Sequence, residues 1–332
     1  MNGPAINVLG VERIYYGAAD VDWAARFHDH WGLTKQETGA SGADYAVADG
    51  TTIHLRRAED GGLPSPKIDW TEELNRSTAR EIIWGVDNKE TLEAIGAEIA
   101  KDREVRAGND GILRTKDDYG YSVGFMVTQR KETKLDFPAT NTVGNHGRRN
   151  RIAEGSVRRA VAPARIGHVV YWAPRDVPKA AQFYQRLGFK ITDDMTAGGL
   201  FMRCGGSCDH HSLLLQGGKA TGFQHVAYEF RDFDEVMLLG GQVEAQGWKT
   251  NVGPLRHNVS STCSWYFWNP AGGMSEAYSD MDCVDDNWKP RKFRPGEDPN
   301  FYGSSWTARP EHKNTPPGQW RDERAAPGYA PR

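Results

Sequence analysis

Cysteine is scarce in this sequence, with four residues in a chain of 332. That number is too small for a disulfide scaffold of the kind that stabilises small secreted domains. Long apolar runs are also missing, since no stretch reaches the roughly 18 apolar residues of a membrane-spanning helix. The first residues lack the basic and apolar regions of a signal peptide. We therefore expect a cytoplasmic protein with no membrane partner.

An excess of one charge sign is missing too. The formal net charge is -3, with 41 Lys and Arg against 44 Asp and Glu, so there is no electrostatic reason to expect nucleic acid as a partner. What the chain does have is 38% apolar residues and a length that suggests about two domains with substantial cores. Small molecules are the ligand class that this leaves.

The sequence contains an internal duplication. The segments DVDWAARFHDHWGL (20–33) and DVPKAAQFYQRLGF (176–189) share Asp, Val, Ala-Ala, Phe and Gly at matching positions, and each follows a strand-like run, 11–18 and 166–173. In each copy an Asp lies where a helix N-cap belongs, and a Gly lies where the helix should end. The repeated unit is therefore predicted to be a strand, a helix and further strands.

Each copy contains a second helical pattern, at 88–102 and 233–247, surrounded by short strand-like segments. We therefore predict an α+β fold of two tandem modules, each of paired βαβββ units. The predicted divisions are an N-terminal module, a polar and basic connector, a C-terminal module and a tail: 1–130, 131–164, 165–280 and 281–332. The tail holds eight of the 17 prolines and several aromatic residues, and we expect it to wrap over the body or a neighbouring subunit.

Three ionisable residues interrupt apolar strand-like runs of the second module: His168, His225 and Glu276. Burying them is costly unless they pair with one another or bind a metal. Two imidazoles and one carboxylate on one face of a metal leave its other face open, as in non-haem Fe(II) oxygenases. A lone strand histidine is more often a hydrogen-bonded core residue. However, the first module has other residues at the matching positions, Arg13, Glu81 and Gly124, so strand packing does not require this set.

A pair of cysteines lies close to a pair of histidines: Cys204, Cys208, His210 and His211. The grouping has some likeness to a zinc site. The glycines and the Asp of CGGSCD explain the segment equally as a turn between strands, which is the interpretation we favour.

Two histidines of the first copy, His28 and His30, have no histidine counterpart in the second copy. The matching positions there hold Tyr184 and Arg186. We therefore interpret His28 and His30 as surface residues.

The segment RHNVSSTCSWYFWNPAGGMSE (256–276) carries a family resemblance. It places a His, a Trp-Tyr pair, an Asn-Pro-Ala-Gly run and a Glu at fixed spacings. This pattern resembles the signature of the type I extradiol ring-cleavage dioxygenases of the vicinal oxygen chelate superfamily, such as catechol 2,3-dioxygenase and 2,3-dihydroxybiphenyl 1,2-dioxygenase. Those two-module chains carry their metal only in the C-terminal module. The resemblance covers 165–280 well and the first module by architecture alone.

The resemblance implies a role for each site residue. His168, His225 and Glu276 match the Fe(II) ligands, and Mn(II) serves in some relatives. His211 matches the acid/base histidine, with His210 as the less favoured neighbour, and His257 and Tyr266 match residues that hydrogen-bond the catecholate oxygens or intermediates.

Two positions depart from the family pattern. Ser260 stands where many relatives have Asp, and Trp265 replaces an aliphatic residue or Phe. These departures suggest an unusual substrate or a slower enzyme.

The implied activity is cleavage of a catechol beside its diol by O2, with both oxygen atoms entering a muconic semialdehyde-type product. Family habit and the aromatic tail also suggest a homo-oligomer. Two alternatives remain open at this point. One is another metalloenzyme of the superfamily, either an isomerase or a different oxygenase. The other is a non-catalytic protein that binds an aromatic ligand or a metal.

Overall fold

The structure is a computed structural model, and it describes residues 6–39, 41–66, 77–174, 176–293 and 306–307. Each half of the chain forms one mixed sheet, with eight strands in the first half and ten in the second among the described residues. The order of elements is βαβββ repeated four times, with a short two-stranded ribbon between the halves. The predicted α+β fold of two tandem modules is therefore confirmed.

The N-terminal sheet has the strand order β2-β3-β4-β1-β5-β8-β7-β6. Its elements are β1 (Val8–Ala18), α1 (Val21–His30), β2 (Thr34–Gly39), β3 (Gly42–Ala46), β4 (Thr52–Arg57), β5 (Thr78–Val86), α2 (Lys89–Ile99), β6 (Arg106–Ala107), β7 (Leu113–Lys116) and β8 (Ser122–Val127). The ribbon that follows consists of β9 (Asn141–Thr142) and β10 (Asn145–His146).

The C-terminal sheet repeats this arrangement with two short additional strands at its edges. Its elements are β11 (Arg165–Ala173), α3 (Val177–Arg186), β12 (Phe189–Asp194), β13 (Gly199–Cys204), β14 (Leu213–Gly217), β15 (Gly222–Glu229), α4 (Phe233–Ala245), β16 (Thr250–Arg256), β17 (Cys263–Trp268), β18 (Met274–Ser279), β19 (Arg291–Lys292) and β20 (Trp306–Thr307). The strand order is β19-β12-β13-β14-β11-β15-β18-β17-β16-β20.

The first helix of each module begins and ends as its sequence predicts. The Asp20 side chain accepts a hydrogen bond from the Trp23 amide at 2.9 Å, and Asp176 accepts one from the Lys179 amide at 3.3 Å. Each bond satisfies an amide that the helix itself cannot. Shortly after each helix a glycine adopts a positive φ, +84° at Gly32, a conformation that costs other residues energy.

Strand register confirms the internal alignment. Tyr15 on β1 faces Glu81 on β5, just as Val170 on β11 faces His225 on β15. On the next strand along, Ile83 faces Gly124 in the first module, and Ala227 faces Glu276 in the second. Arg13, Glu81 and Gly124 therefore occupy the positions that His168, His225 and Glu276 hold in the second module.

The two modules pack against each other through polar and aromatic contacts. Tyr184 on α3 donates to Asp117 at 2.8 Å, and the Trp248 indole donates to His30 at 2.8 Å. One continuous apolar cluster contains buried residues of both modules. The expectation that His28 is a surface residue is wrong, because the second module and the first sheet cover that face of α1, whereas His30 is half-buried. His28 is fully buried and contacts the Ala24 carbonyl at 2.7 Å.

The described part of the tail packs against the C-terminal module. Residues 281–293, which we call the strap, follow β18 and return across β12, where the Trp288 indole donates to the Thr192 carbonyl at 2.8 Å and β19 pairs with β12. Further along, β20 pairs with β16. Several tail aromatics of the sequence prediction, including Phe301 and Trp320, lie outside the described residues. Over the described ranges, no helix is long and apolar enough to cross a membrane.

Candidate metal centre

Three adjacent strands bring His168, His225 and Glu276 together. His168 on β11 faces Ala227 on β15, which faces Glu276 on β18, so these residues form one row across the sheet. His225 lies two residues before Ala227 and therefore on the same face, because side chains alternate along a strand. Within the described ranges, this is the one group of His, Cys, Asp or Glu whose ligand atoms converge as for a metal, all within 4.8 Å.

The donor atoms of the three side chains point at a common centre. His168 Nε2 is 2.9 Å from Glu276 Oε2, His225 Nε2 is 3.0 Å from the same oxygen, and the two Nε2 atoms are 3.3 Å apart. All three residues are buried. Burial alone would raise the pKa of Glu276, but His168 and His225 hold that pKa well below its ordinary value.

The protonation states suit a divalent metal. Burial lowers the pKa of His225, so its imidazole is neutral and can donate a lone pair. Its Nδ1 donates to the Gln224 side-chain oxygen, so the neutral ring can present Nε2 to a metal. His168 Nδ1 is buried with no hydrogen-bond partner among the described residues. Two imidazoles and one carboxylate form a donor set that suits Fe(II) and related ions, and the residues present therefore fit a metal.

The remaining predicted site residues surround this cluster. The His211 ring centroid is 4.2 Å from that of His168, and Tyr266 is 5.4 Å from His225 by the same measure. His257 Nε2 lies 2.8 Å from the Tyr266 hydroxyl. The structure thus brings together all six residues predicted from the sequence.

Burial controls the protonation of these neighbours. The pKa of His211 lies well below its ordinary value, mainly because the ring is buried and also because His168 and His210 are close. His211 is therefore a neutral imidazole near pH 7. Burial and the nearby Glu276 raise the pKa of Tyr266 well above its ordinary value, so its hydroxyl keeps its proton.

His210, the less favoured of the two adjacent histidines, does not face the cluster. It is fully buried, and its Nε2 lies 2.8 Å from Asp193 Oδ2, while its Nδ1 lies 3.2 Å from His211 Nδ1. Asp193 Oδ2 in turn accepts a hydrogen bond from the guanidinium of Arg291, in the strap, at 2.5 Å. Neither Asp193 nor Arg291 was predicted as a site residue from the sequence. The one signal available was an Asp within the strand-like run FKITDD.

The zinc alternative finds no support in the described residues. Cys204 is buried at the end of β13, and burial raises the pKa of its thiol to about 12, so it is not a ready thiolate ligand. Cys208 is exposed and lies beside Cys283 of the strap instead. The segment between them forms a turn, as the favoured interpretation predicts.

The first module lacks the ligand set and fills the matching space differently. Glu81 accepts hydrogen bonds from Arg114 Nε at 3.1 Å and from the Ser122 hydroxyl at 2.9 Å. A side chain at Gly124 would meet the Ile83 Cδ1 atom at 2.5 Å from its Cβ. A carboxylate cannot be placed there without moving the core.

Comparison with known proteins finds a family match in the second module. Residues 165–268 match the model of the Glyoxalase/Bleomycin resistance protein/Dioxygenase superfamily. The match includes His168 and His225 and ends before Glu276, which the fold adds from the adjacent strand β18.

A curated relative and several solved structures extend the comparison. Metapyrocatechase 2 of Cupriavidus necator is 27% identical over 197 residues, which are 59% of this chain and 60% of that protein, so the match spans less than two thirds of the relative. The homoprotocatechuate 2,3-dioxygenase of Arthrobacter globiformis superposes with a TM-score of 0.67 at 17% identity, covering 91% of this chain and 89% of that one. The Mn(II)-bound glyoxalase of Novosphingobium aromaticivorans superposes with a TM-score of 0.65 at 22% identity, covering 88% of this chain and 89% of that one. The two structures establish a shared fold, which alone does not select between their activities.

Proposed function

We propose that this protein is an extradiol ring-cleavage dioxygenase that opens a catecholic ring beside its diol with O2. Both oxygen atoms enter a muconic semialdehyde-type product. The observation that carries the proposal is the buried convergence of His168, His225 and Glu276, with His211 and Tyr266 beside it. The similarity to a metapyrocatechase supports the same reaction class.

His168, His225 and Glu276 would hold one divalent metal, with Fe(II) as the proposed ion and Mn(II) as the second choice. A bound metal of this kind supplies Lewis-acid chemistry that lowers the pKa of the catechol hydroxyls, and redox chemistry that links the ring to O2. The three side chains come from neighbouring strands of one sheet face, and two imidazoles with one carboxylate would leave positions on such an ion for substrate.

His211 is the proposed general acid–base. Its neutral ring can accept a proton from the substrate and return it later, because burial keeps its pKa below the working pH. It lies against His168 and therefore next to the reacting groups. A positively charged residue at this position would start with the proton already bound and could not accept one.

Tyr266 and His257 are proposed to orient the substrate oxygens. The Tyr266 hydroxyl keeps its proton because its pKa is raised, so it acts as a hydrogen-bond donor and not as a base. His257 contacts that hydroxyl at 2.8 Å and limits its rotation. Together the pair presents a fixed polar edge beside His225.

We further propose a catechol with a substituent or a fused ring as the substrate class, and a cytoplasmic homo-oligomer as the working form. The departures at Ser260 and Trp265 favour a substrate other than unsubstituted catechol. Ser260 is buried with φ at +67°, so this loop has a conformation of its own beside His257.

A second candidate is an isomerase of the glyoxalase type. It is kept as a candidate because the chain shares its fold with a Mn(II)-bound glyoxalase over most of both chains, although the fold alone does not select the reaction. The two reactions differ in atom balance, since an isomerase adds no oxygen and the dioxygenase adds two atoms. The mass of the product separates them.

The test is turnover by the full chain after anaerobic loading with Fe(II). Simple, biphenyl-type and naphthalene-type catechols are supplied under ¹⁸O2, and we expect a coloured semialdehyde carrying two labelled oxygens. His168→Ala should lose both metal and turnover, whereas His211→Ala should keep the metal and lose turnover. Absence of labelled product across the whole panel contradicts the proposal.

A further inference from the structure

A chain of buried hydrogen bonds runs from the strap to His211. The Arg291 side chain contacts Asp193 Oδ2 at 2.5 Å, and the Arg291 amide donates to Asp193 Oδ1 at 2.9 Å. Asp193 Oδ2 lies 2.8 Å from His210 Nε2, and His210 Nδ1 lies 3.2 Å from His211 Nδ1. Asp193 and His210 are fully buried, so water does not compete for these bonds.

The direction of each bond follows from the groups involved. Burial would raise the pKa of Asp193, but hydrogen bonds from His210 and Arg291 hold it below its ordinary value, so Asp193 is a carboxylate that only accepts. His210 must therefore donate from Nε2. A neutral His210 ring that donates from Nε2 carries a lone pair on Nδ1. His211 then donates from Nδ1, and its own Nε2 is left unprotonated.

We propose that Asp193 and His210, held by Arg291 of the strap, are positioning residues that fix the tautomer and orientation of His211, with Nε2 as its proton-accepting atom. This inference rests on the proposed function of His211 as acid–base. It gives the strap a role at the active site, although the strap itself contacts none of the three metal-ligand candidates in the described contacts.

The first module shows that the fold does not require this chain. The internal alignment places Glu37, which is exposed, at the position of Asp193. Strand register between β1 and β4 places Gly50 and Thr51 at the positions of His210 and His211. The buried Asp–His–His series therefore accompanies the metal-ligand residues, as expected of groups that serve the same site.

The test measures the tautomer of His211 directly in the metal-free full chain. Long-range ¹H–¹⁵N correlation spectra of protein labelled with ¹⁵N-histidine report which ring nitrogen carries the proton, and His211→Gln assigns the signal. We expect the Nδ1–H form in the unmodified chain. His210→Phe removes the acceptor but keeps a ring against Phe201 and Trp288, and it should convert His211 to a mixture or to the Nε2–H form.

Arg291→Met repeats the test from the strap and avoids replacing a buried residue, since the Arg291 side chain is 38% exposed. Without the guanidinium, Asp193 loses a hydrogen-bond donor that holds it against His210, and we expect the Nδ1–H form of His211 to be less strongly favoured. The matched control is Lys190→Met. It also removes one ion pair between β12 and the strap, Lys190 to Asp286 at 2.6 Å, but it lies outside the chain and should leave the tautomer unchanged.

Turnover separates this inference from the proposed function. In the Fe(II)-loaded chain, we expect His210→Phe and Arg291→Met to lower kcat at least about tenfold with KM and metal content unchanged, and Lys190→Met to have no effect. A His211 ring with Nε2–H in the unmodified chain, or a tautomer that neither variant alters, overturns the inference even if the protein is an active dioxygenase. If the two variants change the His211 tautomer as expected but the unmodified chain turns over no catechol, the proposed function is overturned. The inference that Asp193 and His210 position His211 is then still supported.

Discussion

Each of the three candidate metal ligands, His168, His225 and Glu276, would be unfavourable without the other two. The Glu276 side chain is only 1% exposed. Burying an ionised carboxylate without a partner costs several kcal/mol. The two imidazoles offset that cost by holding the pKa of Glu276 low. A divalent cation would offset it further, because it adds positive charge where three donor atoms already converge.

We predict that Glu276→Gln lowers the affinity for a divalent metal by at least about tenfold, since the amide keeps the shape of the side chain but lacks its charge. Isothermal titration of the full chain with Mn(II) measures the effect. The matched control is Glu81→Gln, which changes a buried carboxylate on the corresponding sheet of the first module and should leave the affinity unchanged. Equal affinities for Glu276→Gln and the unmodified chain would rule out Glu276 as a ligand.

At this scale the sequence predicts a residue when its chemistry is unusual for its position. His168, His225 and Glu276 stand out because they interrupt apolar runs and have no counterparts in the first copy. Asp193 and Arg291 do not stand out, since each is an ordinary residue in its own segment and the two are 98 positions apart. Only the pairing of β12 with the strap reveals their contact.

The elements themselves were predictable because local and repeated signals agree. The second helical patterns at 88–102 and 233–247 correspond to α2 (Lys89–Ile99) and α4 (Phe233–Ala245). The N-cap side chains Asn88 and Asp232 each accept a bond from an amide of the first turn, which fixes where those helices begin. The duplication then supplied the order of strands that periodicity alone leaves open.

What the element signals did not predict is how much of each helix is covered. α1 reads as an amphipathic surface helix, yet His28 and Trp31 are both fully buried. Trp31 packs against Tyr228 and Phe267 of the other module. Coverage of that face depends on the docking of two modules that are far apart in sequence.

Burial of His28 within α1 predicts a pH-dependent stability. Burial lowers the pKa of His28 from 6.5 to about 4, so in that window the unfolded chain binds the proton and the folded chain does not. Stability is therefore complete above the unfolded pKa and is lost as the pH falls. The loss between pH 7 and pH 5 is about 2 kcal/mol.

His28→Phe should remove this contribution. Between pH 7 and pH 5, the free energy of unfolding of the variant should therefore fall by about 2 kcal/mol less than that of the unmodified chain. Denaturant titrations at pH 7 and pH 5 measure the difference. His146→Phe, at an exposed position of the connector, is the control and should keep the original slope. A slope that His28→Phe leaves unchanged would show that His28 is not the group responsible.

On the scale of the whole molecule, the modules form one packed body. Residues of both belong to a single apolar cluster, and Tyr121 of the first module donates to the Trp172 carbonyl of the second at 3.0 Å. Among its described residues the first module has no converging group of metal-ligating side chains. It packs against two of the strands that carry the site, through Tyr121 at β11 and Trp31 at β15.

This packing predicts that metal binding in the second module stabilises the entire chain. An ion at a hundred times its dissociation constant adds about 2.7 kcal/mol to the free energy of unfolding, which for 332 residues raises the melting temperature by about 4 °C. Because the modules share a core, we expect one calorimetric transition that shifts as a whole when Mn(II) is added. His168→Ala should keep the single transition and lose the shift. Two transitions, of which only one responds to the metal, would mean that the modules unfold independently and that the shared core does not couple them.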